Sequence, residues 1–183
     1  MRQPETDNEL LTRHRRGDRV AFERFYRRHA QRLWPFLQSL LHDADLAQEA
    51  LQTVFIKVLR HLDTLATLED AKPYLFQVAW RVAADLLRDQ ARERKRAADF
   101  STARILQPAA GPADGVVARD EAAQLEKVML ELVPELREVV YLHIYEDMTF
   151  PQISEITSVN ANTLQSRYQK ALALMREKYH AQR

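Results

Sequence analysis

Hydrophobic residues recur at three- and four-residue spacing through the first part of the chain, the period of an amphipathic helix. In residues 7–41 the pattern is interrupted at Gly17 and Asp18, which predicts two helices with Asp18 as the N-cap of the second. The same period predicts a helix from about 43 to 62 and another that begins after Pro73, since proline suits the first turn of a helix. That last helix ends in the charged stretch "RDQARERKR".

Each predicted helix has one apolar face that can pack into a common core. In residues 7–41 this face comprises Leu10, Leu11, Val20, Phe22, Phe25, Tyr26, Leu33, Phe36, Leu37 and Leu40. In residues 43–62 it comprises Leu46, Ala50, Leu51, Val54, Phe55, Val58 and Leu59. After Pro73 it comprises Leu75, Val78, Ala79, Val82, Ala83, Leu86 and Leu87.

The periodic pattern stops at residues 97–119, where two Pro, two Gly and several Ala replace it. This composition is typical of a flexible linker. Periodicity then returns and predicts four more helices, at about 120–132, 134–146, 150–157 and 161–179. The sequence therefore predicts an all-α protein with two small helical domains, residues 1–96 and 120–183, joined by the linker.

The last two predicted helices, in "TFPQISEITSVNANTLQSRYQKAL" (residues 149–172), are typical of a helix-turn-helix. Thr149 can cap the first helix, "SVNAN" breaks it, and Asn160 or Asn162 can cap the second. The second helix has an apolar stripe of Leu164, Tyr168, Ala171, Leu172 and Met175.

The other face of this second helix is polar, and it lacks the Glu/Lys pairs that are common on surface helices. It comprises Asn162, Thr163, Gln165, Ser166, Arg167, Gln169 and Lys170. Gln can make two hydrogen bonds to an adenine edge, and Arg or Lys can reach guanine or phosphate. DNA binding is one interpretation of this face, and an ordinary solvated surface is the other.

The charge distribution favours a nucleic-acid partner more than the net charge of +1 does. Residues 121–159 contain two basic and eight acidic side chains, whereas residues 160–183 contain five basic and one acidic. Residues 1–98 contain 18 basic and 14 acidic side chains. Positive charge is thus concentrated locally in the first domain and in the last helix.

Several other classes of function find no support in the sequence. The chain has no Cys and no paired His motif, so we expect no disulfide and no metal site. It has no Gly-rich phosphate loop and no supported catalytic triad, so we expect neither a cofactor nor an enzyme. Because there is no long apolar run and no signal peptide, we expect a cytoplasmic protein without membrane insertion.

Taken together, the two halves resemble a bacterial extracytoplasmic-function (ECF) sigma factor. "AQEALQTVFIKVLRHL" resembles the family's helix that docks on the RNA polymerase clamp. "YLFQVAWRVAADLLRDQARERKR" resembles the helix and basic tail that meet the promoter −10 region. The stretch from "LVPELREVV" to "LALMREK" resembles the domain that reads the −35 element. The order of these segments, with the linker between them, is what makes the resemblance specific.

The resemblance implies a promoter-recognition subunit that binds the clamp and flap of core RNA polymerase and promoter DNA, with an anti-sigma factor as a further partner. The residues that it assigns to polymerase binding are Glu49, Gln52 and Phe55. Those that it assigns to the −10-proximal helix are Asp85 and Arg88. The predicted −10 set is completed by residues of the same stretch: Trp80, Arg81, Arg92 and Lys95. It places Gln165, Ser166 and Gln169 where the family reads −35 bases, and Arg167 and Lys170 where packing and backbone contacts are expected. Asn162 and Thr163, at the start of the same helix, complete the predicted −35 set.

Three positions depart from the family pattern. Two alternatives to a working sigma factor stay open, and Thr53 and Arg81 are the features that keep the first of them open. Thr53 replaces a common acidic residue, Arg81 replaces a common Asn, and Gln165 replaces a usual basic residue. One alternative is a sigma-like decoy that occupies the clamp or an anti-sigma factor without reading promoters. The other is a stand-alone helix-turn-helix regulator that binds duplex DNA without polymerase.

For individual residues the structural interpretation is also open. Glu49 could be a solvated carboxylate, Trp80 could be a core residue, and the run from Arg92 to Arg96 could be a solvated helix end.

Overall fold

The computed structural model of the chain describes residues 5–68, 70–100, 125 and 127–181. All regular structure in these residues is helical, which confirms the predicted all-α class. The helices are α1 (Asp7–Arg15), α2 (Arg19–Leu41), α3 (Ala44–Arg60), α4 (Leu62–Leu65), α5 (Lys72–Phe100), α6 (Pro134–Val140), α7 (Phe150–Thr157) and α8 (Ala161–Ala181). Residues 127–130 are also helical and precede α6.

Short polar side chains determine where the first helices begin. Thr6 and Glu9 form a capping box at the start of α1. Asp18 accepts hydrogen bonds from the backbone N–H groups of Val20 and Ala21 at 3.0 and 3.2 Å, as predicted for the start of α2. The break before it requires Gly17, whose φ of 97° lies in the left-handed region that favours glycine.

In the N-terminal half, which we define as residues 5–100, α1 packs on α2, and α2, α3 and α5 pack around an aromatic core. Phe25 and Phe36 of α2 and Phe76 of α5 are fully buried, and the Phe36 and Phe76 rings lie 5.1 Å apart. Most of the predicted apolar face is therefore confirmed.

Four residues of the predicted apolar faces are instead exposed: Val20, Tyr26, Leu59 and Leu87. Successive residues of an α-helix are about 100° apart, so a residue next to a buried position can point away from the core. Leu59 follows the buried Val58 in this way.

The C-terminal half, which we define as residues 127–181, is built around α6. The predicted single helix over 134–146 exists, but its last turn, Tyr141–Tyr145, is a π-helix. Its end is fixed by a hydrogen bond from the Met148 backbone N–H to the Leu142 carbonyl at 3.0 Å. Helices α6 and α8, and helices α7 and α8, then pack against each other.

The predicted linker falls partly outside the described residues. Helix α5 continues through residues 97–100, and residues 101–119 are not among those described. The domain limits at residues 96 and 120 stay a prediction.

The two halves lie in direct contact, α2 against α6 and α5 against α7. The Phe36 and Tyr141 rings are 5.4 Å apart across this contact. Arg137 of α6 is 2% exposed and donates hydrogen bonds to the carbonyls of Met129, Leu130 and Leu132, and to the Ser39 carbonyl of α2. One buried guanidinium therefore ties the end of helix 127–130 to the end of α2.

Candidate nucleic-acid interface

The turn between α7 and α8 is built from polar caps, as the helix-turn-helix prediction requires. Thr149 and Gln152 form a capping box at the start of α7. Helix α7 ends at Ser158, which adopts a left-handed conformation with a φ of 60°. Asn160, rather than Asn162, caps α8, because its side-chain oxygen accepts a hydrogen bond from the Asn162 N–H at 2.9 Å. The caps define the direction in which α8 leaves the turn.

One side of α8 is anchored in the C-terminal half. Leu164 and Ala171 are fully buried, and Tyr168 is partly buried. The Tyr168 ring packs edge-on against His143 of the π-turn, with ring centroids 4.8 Å apart, and against Phe150 of α7 at 5.8 Å. This agrees with the predicted apolar stripe and fixes the rotation of α8 about its axis.

The opposite side of α8 carries the polar residues predicted to read the −35 element. Six of the seven are exposed: Asn162, Thr163, Gln165, Ser166, Gln169 and Lys170. Arg167 is half-buried and lies in the electrostatic field of Glu138 on α6. The Ser166 hydroxyl donates to the Asn162 carbonyl at 3.0 Å, so it is partly occupied within the helix. The contact between the two halves leaves this face open.

On α5, five of the six residues predicted to meet the −10 region are exposed: Arg81, Asp85, Arg88, Arg92 and Lys95. Two of the arginines form ion pairs with a carboxylate one turn earlier in the helix. Arg88 pairs with Asp85 at 3.1 Å, and Arg92 pairs with Asp89 at 3.3 Å. Such exposed pairs contribute little to stability, so these cations can exchange their partners for phosphates.

Trp80 has a different environment from the other five. It is half-buried, and its indole N–H donates to the Glu138 carboxylate of α6 at 2.7 Å. Burial raises the pKa of Glu138 above its usual range, and the hydrogen bond from Trp80 offsets part of this effect. The structure therefore places this predicted −10 residue in the contact between the two halves.

The predicted polymerase-binding residues of α3 divide into two groups. Glu49 and Gln52 are exposed, whereas Phe55 is only 4% exposed. The Phe55 ring packs against Tyr26 at 4.5 Å and against Phe22 at 6.4 Å. A role for Phe55 in a protein contact would thus be indirect, through support of α3.

Sequence reasoning missed two apolar residues on the exposed face of α3. Ile56 is 50% exposed and Leu59 is 42% exposed, and with Glu49 and Gln52 they follow one another at three- or four-residue steps. Leu59 was assigned to the core and Ile56 to no face. The signal that could have found them was their position in the helical repeat relative to Gln52.

A small surface pocket opens between the C-terminal end of α3 and the first turns of α5. Its lining combines cationic or titratable side chains with an aromatic ring and an aliphatic wall: Lys57, His61, Tyr74, Val78 and Arg81. Of these residues, Arg81 is among those predicted to meet the −10 region. Such a lining can hold a planar group against Tyr74 and Val78 while the cations contact an attached phosphate.

The contact between the halves also buries a second carboxylate, Glu146, which follows the π-turn. Glu146 forms an ion pair with Arg32 of α2 at 2.9 Å, and its backbone carbonyl accepts a hydrogen bond from Lys72 of α5 at 2.6 Å. Burial raises the pKa of Glu146, while the positive charges of Arg32 and Lys72 act in the opposite direction. The Tyr141 hydroxyl donates to the Arg32 carbonyl at 3.3 Å.

Two further kinds of feature are absent from the described residues. No group of three or more His, Asp or Glu in the described residues has the arrangement of a metal site. Within the same part of the chain, no helix combines the length and apolar character needed to cross a membrane.

Comparison with known protein families matches both halves. The model of Sigma-70 region 2 matches residues 25–93, and that of Sigma-70 region 4 matches residues 122–175. The ECF RNA polymerase sigma factor SigK of Mycobacterium ulcerans is 28% identical over 170 residues, which cover 92% of this chain and 91% of that protein. SigK of Mycobacterium bovis is 25% identical over 168 residues, with 91% and 90% covered.

The chain is an ECF sigma factor of the sigma-70 family. A sigma factor binds core RNA polymerase and promoter DNA and directs promoter-specific initiation of transcription. The match to both regions also disfavours the stand-alone regulator, which needs no region 2. The N-terminal half described above contains most of region 2, and the C-terminal half contains most of region 4.

Solved structures share this sigma factor's fold. The sigma factor RpoE from Bartonella quintana, solved in complex with the anti-sigma factor NepR, has a TM-score of 0.70 and 20% identity, with 88% of this chain and 98% of that chain covered. CnrH, solved in complex with the cytosolic domain of CnrY, has a TM-score of 0.65 and 20% identity, with 97% and 99% covered.

Proposed function

We propose that three exposed helix faces of this sigma factor divide the work of promoter recognition. The polar face of α8 reads the −35 element, the exposed side of α5 engages the −10 region, and the exposed face of α3 docks on the polymerase clamp. The observation that carries the proposal is the face of α8, which is polar, rich in amides and open to solvent, while its other side is anchored by Leu164 and Ala171.

The face of α8 suits base recognition because of its chemistry. Gln165 and Gln169 are one turn apart and exposed, and each amide can donate to and accept from the same adenine edge in the major groove. Lys170 supplies a phosphate contact on the same face. Arg167 is held closer to the protein by Glu138, so its contribution is packing and a backbone contact rather than base reading.

Helix α5 suits the −10 region because it combines mobile cations with an adjacent pocket. Arg88, Arg92 and Lys95 can neutralise phosphates without reading sequence. The pocket beside Tyr74 and Arg81 accepts one unstacked base, whose ring stacks on Tyr74. The Arg81 guanidinium then occupies the position at which the family commonly has an Asn.

The exposed face of α3 suits a protein partner because it mixes apolar and polar side chains. Ile56 and Leu59 supply apolar area, and Glu49 and Gln52 supply hydrogen-bonding groups beside it. Thr53, which replaces a common acidic residue, is half-buried at the edge of this face.

An anti-sigma factor and a cytoplasmic, non-enzymatic role complete the proposal. RpoE and CnrH, which share the fold, were each solved in complex with another protein, an anti-sigma factor in the case of RpoE. We infer that this sigma factor has such a partner too. It works in the cytoplasm, with the polymerase supplying the chemistry of RNA synthesis.

The test is a pull-down of core RNA polymerase with the purified protein, followed by run-off transcription on a library of promoter fragments. We expect polymerase binding and defined start sites. Binding without initiation would support the decoy alternative instead. Specific binding to duplex DNA without polymerase would support the stand-alone regulator.

The assignment of α8 is tested by changing Gln165 and Gln169 to Ala together. We expect the preference for the correct −35 sequence over a mutated one to fall about tenfold or more, since each paired amide contact contributes roughly 1–3 kcal/mol of discrimination. Polymerase binding should be unchanged. The matched control changes Gln31 and Gln38, two exposed amides of α2, to Ala. Equal promoter preference in the two double variants would refute the assignment.

A further inference from the structure

The half-buried imidazole of His143 lies where the π-turn meets both helices of the helix-turn-helix. Its Nδ1 is 2.7 Å from the Met148 carbonyl, and Met148 directly precedes Thr149, the cap of α7. Its ring stacks on Phe150, the first residue of α7, with centroids 4.5 Å apart and planes 22° apart. The same ring meets Tyr168 of α8 edge-on, at 82°. One side chain therefore contacts the start of one helix and the middle of the next.

The two sets of contacts use different parts of the imidazole. A carbonyl oxygen can only accept, so the hydrogen bond to Met148 requires a proton on Nδ1 of His143. That bond closes the turn before α7, in which Asp147 adopts a left-handed φ of 52°. The contacts with Phe150 and Tyr168 depend on the aromatic ring instead. A substitution can therefore remove one set of contacts and keep the other.

Tyr168 connects this ring to the residues proposed to read bases. It lies in the middle of the anchored side of α8, one turn after Leu164 and about one turn before Ala171. Gln165 lies three residues before Tyr168, and Gln169 directly follows it. The rotation of this part of α8 therefore determines the direction of both amides.

A small rotation of α8 is enough to lose contacts with bases. Side chains extend to about 5–6 Å from a helix axis, so a rotation of about 15° moves their ends by roughly 1.5 Å. A hydrogen bond of about 2.9 Å is already lost at about 3.6 Å. A lysine tolerates such a shift beside a phosphate, because it acts as a point charge on a flexible stem. Rotation of α8 should thus reduce sequence discrimination more than total affinity.

We propose that His143 is a positioning residue for −35 recognition: its ring sets the rotation of α8 through Tyr168, while its Nδ1–H fixes the start of α7 through Met148. This inference rests on the proposed role of α8 at the −35 element, and it extends that role to a residue that packs behind the reading face. The ring determines which sequence α8 prefers, and the hydrogen bond stabilises the turn. The two roles should separate in two variants of one residue.

The experiment compares His143→Asn, which keeps a donor in the place of Nδ1 and removes the ring, with His143→Phe, which keeps a ring and removes the donor. Each holoenzyme binds a promoter with the −35 sequence selected from the fragment library, or with a mutated one. We expect His143→Asn to lower the ratio of the two affinities about fivefold or more, as for the loss of one paired amide contact. His143→Phe should keep the parent ratio. It should instead lower the midpoint of thermal unfolding by about 2–4 °C, since the Met148 carbonyl loses its donor.

The matched control is His14→Asn. His14 is also half-buried and also lies against a phenylalanine, Phe22, with ring centroids 4.8 Å apart, but it belongs to α1 in the N-terminal half. We expect the parent ratio of affinities for this variant. A fall as large as that of His143→Asn would overturn the proposal.

A double variant tests the route through Tyr168. His143→Asn and Tyr168→Leu each remove one ring of the same contact, so the double variant should lose no more discrimination than either single variant. Additive losses would show that His143 acts by another route and would overturn the proposal. If His143→Asn loses its helical circular dichroism signal, Tyr168→Leu against Tyr168→Phe, which keeps the ring, decides instead.

The outcomes separate this inference from the function on which it rests. If the parent distinguishes the two −35 sequences and His143→Asn does so equally well, this inference fails and the proposed function stands. An equal fall for His143→Asn and His143→Phe would also refute it, since the residue would then act through overall stability. If the parent itself does not distinguish the two sequences, the proposed role of α8 fails and this inference fails with it.

Discussion

At the scale of single residues, the most informative feature is a buried carboxylate, Glu138, that forms no ion pair with any described residue. Glu138 is 8% exposed, accepts a hydrogen bond from Trp80, and feels Arg167 only at longer range. Burial raises its pKa, so the folded protein binds a proton there more readily than the unfolded chain does. At neutral pH, ionised Glu138 therefore lowers the free energy of unfolding.

Changing Glu138 to Gln should remove that cost, because the amide oxygen can still accept from Trp80 and carries no charge. We expect the free energy of unfolding to rise by about 1 kcal/mol at neutral pH. As the pH falls through the raised pKa toward 4.5, the ordinary value, wild-type Glu138 takes up a proton and the difference should shrink. Urea unfolding at several pH values checks this.

The control for this prediction is Glu155→Gln, which changes an exposed carboxylate of α7. It should alter the free energy of unfolding little at any of these pH values. A gain in stability from Glu138→Gln that stayed constant down to pH 4.5 would contradict the account.

At the scale of helices, α5 and α8 present two different kinds of surface for the DNA contacts that we propose. The face of α8 is short, amide-rich and anchored from behind, which suits base reading. Residues 91–96 of α5 are all exposed and carry Arg and Lys beside Glu93, which suits phosphate neutralisation. Substitutions on the two helices should therefore have different effects on sequence preference and on the salt dependence of promoter binding.

Changing Arg94, Lys95 and Arg96 to Gln should lower promoter affinity almost equally for all sequences. We expect the slope of log affinity against log salt concentration to decrease by about 2, as for three lost contacts to single-stranded phosphates. Filter binding of the holoenzyme across a salt series measures it. The control changes three other exposed arginines, Arg15, Arg19 and Arg27, which removes the same charge from α1 and α2. Equal slopes for the two variants would contradict the assignment.

At the scale of the whole molecule, Arg137 makes the two halves depend on each other. Its guanidinium donates to three carbonyls of residues 129–132 and to Ser39, and it contacts the His42 ring at the end of α2. Burial lowers the pKa of Arg137 to about 10, still well above neutral, so the group stays charged. Both helix ends rely on this one side chain for their terminal hydrogen bonds.

Changing Arg137 to Met should leave several buried carbonyls without a donor. We expect the free energy of unfolding to fall by about 3 kcal/mol, since each unsatisfied buried group costs about 1–3 kcal/mol. Thermal unfolding by calorimetry measures the loss, and a broadened or split transition would show the halves separating. Arg176→Met, on the exposed side of α8, is the control. If Arg137→Met lowers the free energy of unfolding no more than Arg176→Met does, this role for Arg137 is refuted.

The amphipathic period was enough to predict the helices, the break at Gly17 and the polar face of α8, because these depend on residues near one another in the chain. It could not predict the contacts of Trp80, Glu138 and Arg137, which join positions far apart in sequence. It also failed at Leu59, since a leucine one step past the core stripe looks like part of it. The spacing of apolar residues does not reveal the π-turn either.

That π-turn sets the rotational position of the residue that follows it, Glu146. A π-helical turn accommodates one residue more than an α-helical turn, and each residue of an α-helix accounts for about 100° of rotation. The extra residue within Tyr141–Tyr145 therefore helps direct Glu146 toward Arg32 and Lys72. Deleting one exposed residue there, Ile144, would restore an α-helical count and turn the carboxylate away from both cations. A one-residue deletion on the surface would then weaken the contact between the two halves as strongly as the loss of its charged groups.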